Sequence, residues 1–560
     1  MEEPKYLKHL SGAIPEEAYG YHVGAYSIAL EAWRRGLKVT FINKYRQKEI
    51  LSYKISDGNK EHEFLSARGD LVSREAINIC KDKDITKSIL IDNNVPTPEG
   101  KAFEESTDIE SYVAYAKEID FPLVVKPIDG TGGKGVFTGI ESEEELKEVI
   151  SYLKNNMGCK EIIIEKYIQG NDYRLYVINN KVVGAYTRER ANVIGDGINS
   201  IRKLVKLKNK KRAKNPGLKG KSSIKLNHEA KKMLQRKNYN FDSIPEKNEK
   251  IYLNSKNNVS SGGDPTDKTD LLSDYIKQIA IDALNAIPGL VQGGIDLIIN
   301  EEKGTAHVLE INSLPSIRAH IFPMKGQAKD IPKEIIDFYF PKTKEIAVQN
   351  SLFFDFDLLY QSLNKGYIKE YKLPDYPQGE VVLTRFEIIN LSAKRKFANW
   401  CVQTARTLRI NGYLKEISQT KDTLVLCGNA KKVEKFKVRL ASKLNKTGKD
   451  VQLVKRDRKS PVKVGFEVIG MNNIENYHRS KNTNYFAEGE GYFPVLLDLN
   501  NKAKKITSPS KGRNKKKKNE RNNKNIDIDY KREYEKVINS TSWKLTKPFR
   551  NIRKLVKQKK

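Results

Sequence analysis

The segment VVKPIDGTGGKGV, residues 124–136, constrains the fold of this chain more than any other. An apolar run delivers Lys126 to the mouth of a loop with glycines at 130, 132, 133 and 135. Glycine lets backbone N–H groups close on a polyphosphate, and a lysine leaving the strand adds a charge-assisted contact. A glycine-rich loop alone is equally compatible with a plain turn, and two later segments give it context. GGIDLII sets Asp296 on a strand-like run. VLEINSLPSIRAH sets Glu310 between apolar Leu309 and Ile311, with Asn312 on the same face by the two-residue strand period. A lone strand-borne carboxylate is usually a surface group. Hard oxygen ligands on adjacent strands, however, suit Mg²⁺ (or Mn²⁺) bridging the phosphates of a bound nucleotide.

Charge is concentrated rather than spread. Of the formal +32, residues 501–560 carry +17 and residues 200–240 carry +14. The remainder is close to neutral, which argues against a nucleic-acid coat and for two local contacts with anions. No apolar run reaches the roughly 18–20 residues that a membrane-spanning helix needs. Four cysteines (80, 159, 401 and 427) stand far apart with no CxxC spacing, which supports neither a zinc site nor a disulfide framework and points to a reduced cytoplasm. The start of the chain shows no charged-then-apolar signal pattern.

Six regions follow from pattern and composition. Residues 1–80 hold a helix, AYSIALEAWRRG, stopped by Gly36, and the strand LKVTFIN. Residues 81–342 alternate β-rich and helical runs, as an α/β or α+β enzyme domain does. Residues 343–378 read as a connector with one amphipathic helix around LFFDFDLLYQSL, and 379–470 as a compact βαβ-type unit. Residues 471–527 form a linker that cannot bury apolar surface after 500 and is expected to be disordered. Residues 528–560 regain aromatics in a basic, amphipathic tail.

The order DKDITKSILIDNNVPTPEG, FPLVVKPIDGTGGKGV, EIIIEKYIQGNDYRL, GGIDLII, LEINSLPSIRAH resembles the ATP-grasp superfamily. It looks closest to the ATP-grasp domain of cyanophycin synthetases and bifunctional glutathione synthetases, and the likeness extends to TRERANVIGDGINSIRKLV and NVSSGGDPTDKTD. The resemblance implies an ATP-grasp fold and carboxylate–amine ligation through an acyl phosphate, with ATP and Mg²⁺ as cofactors. It implies Lys83 and Lys126 on the phosphates with Gly132 and Gly133, and Glu165, Lys166 and Ile168 around the adenine. Asp172 falls at the ribose, and Asp296, Glu310 and Asn312 on the metal. Arg188 and Arg318 would meet the acyl phosphate or substrate carboxylate. The basic 200–240 stretch reads either as a triphosphate lid including Lys225 or as a solvated loop carrying an anionic acceptor. No GxxxxGK[ST] is present, so a single ligation is expected rather than the two-substrate polymerase activity.

Residues 380–470 resemble acylphosphatase, a small βαββαβ (ferredoxin-like) family. The position of that family's phosphate-binding arginine holds Ala398, and that of its water-orienting asparagine holds Glu416. An acidic residue where phosphate should bind is electrostatically wrong, so a degenerate domain is expected; Lys394, Arg395 and Lys396 could substitute as phosphate ligands, but a solvated face is the favoured reading of them. In the tail, NSTSWKLTKPFR resembles a C-terminal element of bacterial surface-polysaccharide transferases, and its basic aromatic character suits an anionic membrane surface as well as it suits a frayed terminus. The reading is a cytoplasmic ligase, peripheral at the inner membrane face through its tail. It would join amino-acid or peptide-like carboxylates and amines, with a cell-envelope polymer or precursor as the setting. The rivals are an acylphosphatase with an accessory ATP-grasp domain and a nucleotide-gated binding protein without catalysis.

Overall fold

The computed structural model describes residues 4–43, 51–128, 135–220, 223–255, 257–446 and 450–470, all within one compact unit, Met1–Leu496. The expectations for Gly132, Gly133, the linker and the basic tail fall on residues outside these. No described helix is long and apolar enough to cross a membrane.

Helix Val23–Arg34 is apolar around most of its circumference and is accordingly buried, with Tyr26, Ile28, Leu30 and Trp33 all in the core. It stops where expected, at Gly36, whose φ of +84° suits a residue without Cβ. The chain then enters an antiparallel sheet of five strands in the order 370–372, 38–42, 52–56, 61–65, 68–69. Its edge strand, Glu370–Lys372, comes from the stretch expected to be a connector. That stretch is folded into the N-terminal layer because its aromatics are core residues. Phe354 and Phe356 lie 4.5 and 5.6 Å from Tyr26 by ring centroid, and the amphipathic helix runs Phe356–Asn364 behind an Asp355 cap.

The expected α/β alternation builds two sheets. A four-stranded sheet, ordered 100–103, 162–166, 123–127, 137–140, carries Lys126 and Glu165 on neighbouring strands. Helices Ile109–Ile119 and Glu143–Ser151 cover it over a core that includes Tyr112, Val125, Leu146 and Ile162. A second, antiparallel sheet is ordered 264–267, 181–189, 171–178, 292–300, 305–312. Helix Asp274–Ala286 packs its Ile276, Ile279, Ala280 and Ala283 on one face of it; the other face is the one that matters below.

The basic stretch lies in an insert between strands 181–189 and 264–267. It holds helices Ile201–Ala213 and His228–Gln235 and a two-stranded ribbon, 192–194 with 250–252, around its own core of Val193, Ile201, Leu204, Leu234 and Ile251. Two of its cations turn inward. Lys208 meets Asp264 at 2.6 Å, and the guanidinium of Arg212, almost fully buried, pairs with the same carboxylate.

The last described domain is a βαββαβ unit. Strands 381–389, 411–416, 421–429 and 452–456, with helices Lys394–Leu408 and Ala430–Asn445, stand in the order fourth, first, third, second; a fifth strand, Phe466–Ile469, runs parallel to the second. This is the ferredoxin-like arrangement, where the pattern of runs indicated only a βαβ-type unit.

Removing one partner of a buried ion pair leaves an uncompensated charge at a cost of about 3–5 kcal/mol. Asp264→Ala should therefore sharply lower the urea midpoint of the transition reporting on the insert, whereas Lys203→Ala, exposed on the same helix, should stay within about 0.5 kcal/mol.

Candidate functional site

The other face of the antiparallel sheet gathers the charged residues. Strand alternation points Asp172, Arg174 and Tyr176 to one side and Tyr173, Leu175 and Val177 into the core. Register then sets Tyr186, Arg174, Asp296 and Glu310 side by side across four strands. A bulge between Asp296 and Leu297 opposes Leu297 to Val308, leaving Leu309 as the extra, exposed residue. Val308 and Ile311 thereby both face the core while Glu310 and Asn312 face the site, the re-aiming that bulges perform beside functional groups. Gly294, opposite Asn312, leaves room where a Cβ would meet the Pro315 ring at 2.7 Å; Arg174 Cδ passes 3.8 Å from that point.

Asp296 is the buried centre. Arg174 Nε donates to its Oδ1 at 2.6 Å and Arg174 Nη2 to its Oδ2, and Arg188 Nη2 donates to Oδ1 at 2.9 Å. Burial works to raise its pKa, but the two guanidinium charges and their hydrogen bonds prevail, and the carboxyl stays below the ordinary aspartate value. Asp172, on the same face, has only Arg188 at 3.4 Å, and there burial prevails and pushes its pKa up to about 6. The Asn312 amide bridges Glu310 Oε1 at 3.1 Å and Arg174 Nη2 at 3.2 Å. Below this layer His320 packs against Tyr186, 4.7 Å by centroid. Burial, then the charges of Arg174 and Arg188, hold it neutral with a pKa near 3.

On the four-stranded sheet, Glu165 is buried between two ammonium groups: Lys126 Nζ donates to Oε2 at 2.5 Å and Lys87 Nζ to Oε1 at 2.9 Å. Burial opposes the charge of Glu165, the two lysines outweigh it, and its pKa lies below the ordinary glutamate value. Burial lowers the pKa of Lys87. Lys83 opens helix Lys83–Asp92 behind the cap supplied by Asp82, one turn before Lys87. Lys166 turns away, donating to the carbonyls of Ile119 and Asp120 at 2.9 and 3.0 Å, and Ile168 is half-buried. Arg318 heads a short helix with its guanidinium over the Tyr21 ring at 4.6 Å. Lys225 is exposed.

Sequence reasoning thus named Asp172, Arg188, Asp296, Glu310 and Asn312, which the fold brings together, and Lys126 with Glu165, which it pairs. It missed Arg174 and Lys87. Both had a signal: DYRLYV puts Arg174 on the face of Asp172, and KDITK puts Lys87 one helical turn from Lys83.

Two carboxylates and an amide oxygen on adjacent strands fit Mg²⁺, which keeps several waters and takes one or two carboxylates besides phosphate oxygens. Among the described residues no group of three or more His, Cys, Asp or Glu is placed to hold a metal ion. A carboxylate offers about four lone-pair sites, so Asp296 keeps capacity beyond its arginine contacts.

Asp172 gives a pH signature. An unfolded aspartate ionises near 3.8, but the folded one ionises only near 6, so its contribution to stability is present at low pH and lost as pH rises through that window. Two units correspond to about 3 kcal/mol. The stability difference between the wild type and Asp172→Asn, followed by urea unfolding from pH 4 to 7, should shift against the wild type by that order.

Part of the chain is similar to known proteins. Residues 80–202 match the profile of the RimK-like ATP-grasp domain. The chain is 32% identical over 321 residues to the glutathione biosynthesis bifunctional protein of Listeria welshimeri, covering 55% of this chain and 40% of that protein. It is 30% identical over 274 residues to the cyanophycin synthetase of Crocosphaera subtropica, covering 48% and 31%. Among solved structures, a bifunctional glutathione synthetase from Pasteurella multocida matches with 26% identity and a TM-score of 0.43, covering 52% of this chain and 41% of that one. The chain thus spans less than half the length of these relatives. Over residues 80–202 it carries a RimK-like ATP-grasp domain.

Proposed function

We propose that the chain is an ATP- and Mg²⁺-dependent carboxylate–amine ligase acting through an acyl phosphate. The observation that carries this reading is the row Arg174–Asp296–Glu310, with Arg188 and Asn312 beside it. It concentrates oxygen ligands and guanidinium groups on one sheet face. Lys83, Lys87 and Lys126 take the nucleotide phosphates, the latter two exchanging Glu165 for them. The 165–168 segment frames the adenine, with the Lys166 ammonium tied back to the carbonyls of Ile119 and Asp120. Asp172 serves the ribose. Asp296, Glu310 and Asn312 hold the metal, which when bound neutralises charge on the transferring phosphoryl group.

A substrate carboxylate oxygen attacks the γ-phosphorus and ADP leaves. An amine then attacks the acyl carbon, phosphate departs, and the amine nitrogen gives up a proton. Arg188 and Arg318 hold the acyl phosphate or the substrate carboxylate, since positioned cations stabilise the developing charge without reorganising. Similarity to glutathione-biosynthesis proteins and cyanophycin synthetases supports an amino-acid or peptide substrate. The +17 of residues 501–560 supports an anionic envelope setting.

The C-terminal domain, on this reading, is a degenerate acylphosphatase that hydrolyses nothing. Lys394 Nζ donates to Glu416 Oε1 at 2.8 Å and to the Ser418 carbonyl at 2.9 Å, so the cation nearest the expected phosphate position is neutralised from within. Ala398 is buried in the domain core.

A screen of the full chain over amino acids, small peptides and uronic acids should find a carboxylate and amine that release ADP and phosphate only with Mg²⁺. Lys126→Ala and Glu310→Ala should each lower turnover by about 10²–10³, the usual effect of a lost electrostatic contact to the transition state; unchanged turnover in both rejects the reading. Acetyl phosphate given without ATP should not be hydrolysed, and brisk release of phosphate would restore the acylphosphatase rival.

A further inference from the structure

Arg318 is half-buried, yet no acid accompanies it. Among the described residues its guanidinium makes no hydrogen bond and no ion pair, and its one partner is the Tyr21 ring, whose centroid lies 4.6 Å from Cζ. The other arginines of the site are committed internally, Arg174 to Asp296 and Arg188 to Asp296 and Asp172.

Tyr21 is 41% exposed, but its backbone is pinned on both sides. Before it, the Gly20 N–H donates to the Pro216 carbonyl at 2.8 Å, in the turn that follows helix Ile201–Ala213. After it, His22 packs against Phe356 and Tyr360, 5.6 and 4.7 Å by centroid, and the buried helix Val23–Arg34 begins. Arg318 is mounted on the same core, because Ile317 and Ile321, which flank it in sequence, lie among Val23, Tyr26 and Phe356. Ring and guanidinium thus meet through two elements packed in one core.

A ring holds a guanidinium differently from a carboxylate. The ring quadrupole attracts the cation over its face, whereas the five N–H donors lie at the edge of the guanidinium plane. A carboxylate would orient Arg318 by taking up that edge. The ring orients it and leaves the edge to an incoming pair of oxygens. The neighbouring stack supplies the contrast: Lys219 lies over Tyr19 at 5.2 Å but also meets Glu16 at 2.9 Å, so its charge is answered from within.

Resting on the ligase reading, we infer that Tyr21 is a positioning residue of the ligation site: the N-terminal layer lays its ring against Arg318, so that the guanidinium edge receives the substrate carboxylate. Arg318 suits this task because the aspartates already occupy Arg174 and Arg188. The N-terminal layer then takes part in substrate binding besides supporting the sheets.

The test follows arginine Nε–H signals of the ¹⁵N-labelled full chain by NMR, the Arg318 signal being the one lost in Arg318→Lys. Acetate, a bare carboxylate, should move that signal saturably, and chloride at equal ionic strength should not. Tyr21→Leu, apolar but without a quadrupole, should weaken the acetate response at least about fivefold, as loss of a partly desolvated cation–π contact does. Tyr21→Phe keeps the ring and should stay within about twofold of the wild type. An acetate response that survives Tyr21→Leu overturns the assignment, as does a wild-type Arg318 signal that ignores acetate. With the carboxylate found by ADP release, Tyr21→Leu should raise the KM for that carboxylate by a like factor while kcat and the KM for ATP hold, and Tyr21→Phe should restore it. A ring that only supports the fold would shift both Michaelis constants together with the melting temperature, and that result rejects positioning. The acetate titration contains no ATP, so its failure would leave the ligase reading to be judged separately by ADP release.

Discussion

Asp296 is the constraint around which the site is built. A carboxylate buried to this depth cannot remain ionised unless cations accompany it. Two do, from two different strands, Arg174 through Nε and Nη2 and Arg188 through Nη2. The requirement locks the register of strands 171–178, 181–189 and 292–300, because a one-residue slip of any would carry its charged residue to the core face. The bulge at Leu309 serves the same end from the fourth strand, letting Glu310 and Asn312 join the charged row without withdrawing Val308 or Ile311 from the core. Gly294 follows from it too, since only a residue without Cβ leaves space beside Pro315 on that face.

The same logic recurs twice at other charges. Glu165 is buried between Lys87 and Lys126, so the two ammonium groups are oriented by an internal anion. Asp264 is buried between Lys208 and Arg212, and there the pairing fastens the insert to the sheet. In each case a buried acid is matched by two bases from other elements. Paired in this way, buried charges specify a geometry more than they add stability. Asp172 is the exception, with one arginine at 3.4 Å, and its raised pKa reflects the missing second partner.

Much of this was legible beforehand. Helix Val23–Arg34 and its stop at Gly36, the alternation of β-rich and helical runs over 81–342 and the strand positions of Asp296, Glu310 and Asn312 follow from local period, turn chemistry and motif spacing, whereas the βαββαβ order of the last domain was implied by its resemblance to acylphosphatase. The segment 343–378 was not read correctly as a connector. Its aromatics signal burial, but no local pattern tells that they complete the core beneath Tyr26 and Trp33. The 200–240 lysines were read together as lid or solvated loop, and the fold divides them, turning Lys208 inward and leaving Lys203 and Lys206 outside.

The division has a physical origin. Periodicity, glycine positions and apolar runs act over a few residues, and so the sequence by itself determined which elements form, where they end and which side of each is apolar. Which charged side chain is desolvated depends on whether an opposite charge waits at the same depth, and that partner lies 122 residues away for Arg174 and Asp296, 78 for Lys87 and Glu165, and 52 for Arg212 and Asp264. Only the tertiary structure brings such partners together, and it alone decided that Arg174 and Lys87 belong to the site while Lys166 is tied back to helix Ile109–Ile119.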